Sequence, residues 1–156
     1  MIDNGNIPES PPVSRIWRAF YLDGGRLAGF TGTIWWGEEM EAVCLVLTER
    51  EHQAPQLNCK CGIYGYYEAA PVWYDQIEPY LHQQQTILAH CSFWGQVIMG
   101  DRGLRVANAR IEKAYVIDAG RLLWNTNLCA NSLRRTYPTV DWTVVTKQEV
   151  LTTLLH

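Results

Sequence analysis

Apolar residues along this chain fall in short runs broken by turn chemistry, a rhythm that predicts strands more often than helices. Residues 15–21 (RIWRAFY) are rich in aromatic and branched side chains. Asp23-Gly24-Gly25 then supplies a turn, and residues 26–31 can return as a second strand, so a hairpin is expected. In residues 32–38 the pair Trp35-Trp36 should place one ring in the core and the other at a boundary groove. Residues 41–48 (EAVCLVLT) are a short apolar run bounded by charge, which reads as a buried strand with Cys44 inside it. Residues 49–60 are polar, contain Pro55 and Asn58 and keep neither period, so they form a loop. A strand, or a turn entering one, resumes at residues 61–67 (CGIYGYY). Two longer apolar runs, 87–99 and 104–117, flank Gly100-Asp101-Arg102-Gly103 and should form the hairpin at the centre of a sheet. Either glycine of that turn is expected at positive φ.

Helical periodicity is confined to shorter stretches. Within residues 71–85, Trp73, Ile77, Tyr80 and Leu81 share a face, although Pro79 works against a continuous helix. Residues 127–135 (NLCANSLRR) have a capping residue in front and basic residues in the last turn, with Leu128 and Leu133 available for a buried stripe. Pro138 ends that segment. Residues 141–145 (DWTVV) read as a strand, and Thr146 with Glu149 has the spacing of a capping box that opens a last helix through Leu155. The expected fold is α+β: a flexible tail over residues 1–12, then a single β-rich domain over 13–156, mainly antiparallel hairpins with two short C-terminal helices.

At 156 residues with 47% hydrophobic content, the chain is long enough for one core and short for two. A net charge of -3 without a long Lys or Arg run gives no footprint for a phosphate backbone, which makes nucleic-acid binding an unfavoured reading. The first residues lack a basic stretch followed by an apolar one, and nothing approaches the roughly 18 consecutive apolar residues needed to span a bilayer. The expectation is a cytoplasmic protein without a membrane partner. Five cysteines, an odd count with no export signal, point to free thiols or metal ligation before a disulfide framework.

The densest set of metal-competent side chains is Cys44, His52, Cys59 and Cys61, spaced C-x7-H-x6-C-x-C. Three thiolates and an imidazole complete a tetrahedral zinc shell, which would be structural because no position stays open for water. A metal would also staple a loop that has little apolar surface of its own. The single residue between Cys59 and Cys61 is shorter than the usual zinc-module spacing, and the same residues also read as a buried thiol, a solvated histidine and two ordinary loop cysteines. His90 or Cys91 could replace Cys44 as the fourth ligand. As neighbours on a strand they should face opposite ways, which argues against a Cys-His nucleophile. Cys129 reads as a core residue.

Other chemistry finds little support. No G-x-S-x-G elbow, phosphate loop, H-E-x-x-H or dinucleotide fingerprint is present. Glu38, Glu39 and Glu41 read as a charged loop end, and Arg102, Arg105 and Arg110 as solvated charges on an edge strand.

Two segments carry a resemblance. EAVC-x7-HQAP-x3-CKCGIYGYY (residues 41–67) and FWGQVIMGDRGLRVANARI (residues 93–111) are similar to patterns in small uncharacterised proteins of actinobacteria, other bacteria and their phages. The two cover less than a third of the chain, and it departs from those patterns at Gly65 and Val106, where alanine is frequent. What the resemblance implies is shared metal ligation by Cys44, His52, Cys59 and Cys61, and a phage or mobile-element setting. The function expected is a non-enzymatic protein-interaction module with a structural zinc and another protein as partner. A metal-assisted enzyme with an open zinc position is the alternative, and a nucleic-acid binder stands behind both.

Overall fold

The runs flanking residues 100–103 form the two longest strands of the protein, as the computed structural model shows. It describes residues 11–44, 52–120 and 125–156. The fold is strand-rich α+β in a single domain. The strands are β1 (Arg15–Asp23), β2 (Arg26–Ala28), β3 (Ile34–Trp35), β4 (Glu39–Glu41), β5 (Ile63–Tyr66), β6 (Thr86–Met99), β7 (Gly103–Asp118) and β8 (Asp141–Thr146). The helices are α1 (Ala69–Val72), continued by a π turn (Trp73–Ile77) and a 3-10 turn (Glu78–Tyr80), then α2 (Thr126–Thr136) and α3 (Lys147–Glu149), continued by a π turn (Val150–Leu154). The tail expected over residues 1–12 lies almost wholly outside the described residues. So do residues 45–48 of the strand expected over 41–48.

β7 is the spine. One edge pairs with β6 from Leu104 to Val116; the other takes β5 at residues 103–106, β4 at 108–110 and β8 at 113–118 in turn. The β8 pairing is parallel; the remaining strand pairs are antiparallel. β1 pairs with β6 over residues 15–21, and β5 reaches back to β1 at Trp17↔Tyr66. The pairings therefore curl the sheet into a ring β1–β6–β7–β5.

Strand alternation sorts the side chains onto two faces. Ile16, Phe20, Ile87, Ala89, Cys91, Val106, Ile111 and Val116 join the first core cluster, which α2 closes with Ala130, Leu133 and Tyr137. Ala19, Leu88 and Ile117 belong to the second, covered by Val72, Trp73, Ile77 and Val150. Burial of each such large apolar side chain contributes about 1.5–3 kcal/mol. The Tyr137 hydroxyl, wholly buried, accepts from the Leu27 amide at 2.9 Å and donates to the Trp35 carbonyl, tying α2 to β2 and β3.

Several expectations hold locally. The turn at Gly24-Gly25 has φ of +58° and +80°, which only glycine adopts cheaply. Asn125 caps α2, and Thr146 and Glu149 form a reciprocal capping box. Trp35 is 1% exposed and Trp36 70%.

Four expectations are corrected. Residues 26–31 pair only as far as Ala28, because the chain folds back through Gly32 at φ +88°. Among the described residues of the strand expected over 41–48, only Glu41 lies in a strand, at the end of β4, and Cys44 stands beyond it. Leu128 is 64% exposed: it lies two residues, about 200° around the helix, from the inward Ala130. Neither Gly100 nor Gly103 has positive φ. Gly103 is required for another reason, since a Cβ there would stand 2.1 Å from the Gly65 carbonyl oxygen where β5 crosses.

Candidate metal centre

Between β4 and β5 the chain leaves the sheet and returns. At its departure the Ala42 amide donates to the Ala107 carbonyl at 2.7 Å, holding the chain to β7 two residues before Cys44. Its return passes through a tight turn, with the Cys59 amide donating to the Gln56 carbonyl at 3.0 Å. Gly62 lets the chain re-enter β5: its φ is +118°, and a Cβ would meet Pro55 Cβ at 2.9 Å and Arg105 Cβ at 3.1 Å.

This path brings Cys44, His52, Cys59 and Cys61 together. One ligand atom from each lies within 4.8 Å of the other three, and all four residues are half-buried. Cys44 Sγ and Cys59 Sγ are 3.6 Å apart, and His52 Nε2 and Cys61 Sγ 3.3 Å. In a tetrahedral zinc shell the corresponding separations are about 3.8 Å and about 3.6 Å, given bond lengths near 2.3 Å to sulfur and 2.0–2.1 Å to nitrogen. The spacing and the donor set are compatible with such an ion. The five cysteines form no disulfide.

The two sulfurs on the returning strand differ electrostatically. The backbone amide of Cys61, followed by the Cys44 side chain, pulls the Cys59 thiol down to about 7, towards the thiolate a metal needs. Burial pushes the Cys61 thiol up.

Arg105 is the residue that sequence reading misplaced. Its strand is paired on both sides, with Arg105 opposite Tyr64 and Ile98, so it is no edge charge. Its Nη1 donates to the carbonyls of Cys59, Cys61 (2.8 Å) and Gln56 (3.3 Å), and its guanidinium stands 5.9 Å from the Tyr64 ring. One side chain thus gathers the carbonyls of both loop cysteines. The Tyr64 hydroxyl adds a bond to the Lys60 carbonyl at 2.6 Å. Only the register Tyr64↔Arg105 reveals this role, and no motif encodes it. By contrast Arg110 pairs with Glu39 and Arg102 with Asp75 on the surface.

His90 and Cys91 do not belong to the cluster. A register shift between them leaves Cys91 fully buried in the first core, while His90 stacks on Trp17 at 4.0 Å on the other face. Cys129 packs against the first core cluster.

Beside the loop runs a cavity of about 880 Å³ lined by Trp17, Arg18, Trp35, Trp36, Tyr64 and Arg105, among others. Phe30, Trp36, Val43 and Tyr64 stand exposed around it. Among the described residues no helix is long and apolar enough to cross a membrane. Comparison with known proteins finds no match to a family model, a curated protein or a solved structure.

Proposed function

We propose that this chain is a non-enzymatic protein-interaction module of the cytoplasm, encoded by a phage or other mobile element, in which a structural zinc staples the loop between β4 and β5. The observation that carries the reading is the mutual proximity of four donor atoms from Cys44, His52, Cys59 and Cys61. Four protein ligands fill a tetrahedral zinc shell and leave no position for a reacting water, which separates a support from a workplace. The residues would hold the ion as three thiolates and an imidazole, and its binding energy would become folding energy for the loop. The exposed side chains of Phe30, Trp36 and Val43 would then be held rigidly enough to meet a partner.

Elemental analysis of protein purified without chelators should find about one zinc per chain, and Cys59→Ser and Cys61→Ser should each lower the melting temperature. Metal-free protein of undiminished stability would sink the zinc assignment. Affinity capture with the full chain should recover a protein that Trp36→Ser fails to recover at unchanged stability. Equal recovery by that variant would remove the groove as the interaction surface.

A further inference from the structure

Arg18 stands out from every other charged side chain described. It projects from β1 among aromatic rings, its guanidinium carbon 5.0 Å from the Phe20 ring centre and 5.4 Å from that of Trp35. Nη1 donates to the Tyr64 carbonyl, and Gly29 leaves space for Nη2, since a Cβ there would stand 3.0 Å from it. Nε is removed from solvent and has no hydrogen-bond partner. No carboxylate pairs with Arg18 among the described residues. Burial pushes its pKa below the ordinary guanidinium value.

A guanidinium partly withdrawn from water and without a counter-charge carries a desolvation cost that an arriving anion relieves. With Nε closed off from solvent, the donors left to a ligand are Nη2 and the second hydrogen of Nη1, an end-on pair that matches the two oxygens of a carboxylate. This guanidinium lines the cavity of about 880 Å³, whose walls include Trp17, Trp35, Trp36 and Tyr64. That volume lies within the range of small-molecule sites, about 300–1,000 Å³. A single acidic side chain from a docking protein would leave most of it empty.

We propose that this cavity is a binding site for a small organic carboxylate with an aromatic body, its carboxylate seated on Arg18 and its ring among the tryptophans. Such a ligand matches both the unpaired charge and the aromatic walls. The site is independent of the zinc assignment, because none of the four candidate metal ligands lines the cavity, but it shares Phe30, Trp36 and Val43 with the proposed protein-interaction surface.

The test is titration calorimetry of the full chain with 2-naphthylacetate and, separately, with its neutral counterpart 2-(2-naphthyl)ethanol, with tryptophan fluorescence followed in parallel. The acid should bind at one site per chain at least tenfold more tightly than the alcohol. In Arg18→Gln the two should bind alike, and Arg18→Lys should recover part of the acid's advantage. Gly29→Ala, which crowds Nη2 without removing the charge, should weaken the acid more than the alcohol and serves if the Arg18 variants do not fold. Failure of the acid to bind, equal affinity of the two compounds for the native chain, or an acid preference that survives Arg18→Gln would each overturn the proposal.

Discussion

Replacing Arg105 with methionine keeps an unbranched apolar stem on β7 and removes one guanidinium. The loop then loses three bonds, to the carbonyls of Cys59, Cys61 and Gln56. The Gln56 bond is long at 3.3 Å, which leaves two that matter. Hydrogen bonds to charged groups contribute about 1.5–3 kcal/mol when buried, and at this half-buried site about 1 kcal/mol apiece is the fair figure. The expected loss is about 2 kcal/mol, which corresponds to about a 30-fold change in an equilibrium constant at about 1.4 kcal/mol per factor of ten. Under the zinc reading, the same loop order is required to bring Cys59 and Cys61 to the ion, so metal affinity should fall within the 10–100-fold range typical of lost supporting contacts. The assay is competition for zinc against a chromogenic chelator, with thermal unfolding alongside. Arg110→Met is the matched control from the same strand: Arg110 meets Glu39 at the surface, a pair worth about 0–1 kcal/mol, and its loss should leave zinc affinity unchanged. If Arg105→Met retained affinity within twofold of the native chain, or if Arg110→Met weakened it equally, the carbonyl clamp would have no special role.

Gly103→Ala should destabilise the domain by more than about 2 kcal/mol in chemical denaturation, because backbone stands where the Cβ would be, whereas Gly100→Ala, with its nearest neighbour at 3.3 Å, should cost less. Equal effects would show that the β5–β7 crossing yields easily. Alkaline pH should weaken the fold, because burial raises the Cys91 thiol from 9.0 and the Tyr21 hydroxyl from 10.0, each to about 12. The unfolded chain gives up these protons first, so their contribution to stability is intact below about pH 9 and is lost as pH climbs towards 12. Denaturation midpoints from pH 8 to 11 check the sign, and an alkylating reagent should leave Cys91 untouched until the chain unfolds. Glu38→Gln, Glu39→Gln and Glu41→Gln should change melting temperature little; a variant that stays folded and metal-replete but loses a function would favour an enzyme instead.

The elements themselves were legible wherever a local signal was strong. The turn at Gly24-Gly25, the Thr146–Glu149 capping box, the hairpin around residues 100–103 and the polar loop before β5 all rest on interactions between near neighbours in the chain, so a few residues suffice to specify them. The four metal-competent residues were also visible, because their chemistry and nearness in sequence are properties of the chain itself. Their convergence within 4.8 Å was not. Spacing leaves Cys44 and Cys91 as rival ligands; the β6–β7 register decides between them by turning Cys91 into the core. Long-range pairing also decides the rest. Arg105 and Arg110 are the same residue type on the same strand, and only the strand lying opposite makes one a clamp and the other a surface ion pair. Gly103 reads as a turn glycine until β5 is laid across it, when steric approach and not backbone dihedral proves to be its constraint. Arg18 is an unremarkable basic residue in the sequence. Its isolation among Phe20, Trp35 and Tyr64 exists only once β1 has curled against β5, because a charge's solvation is set by everything that surrounds it in space.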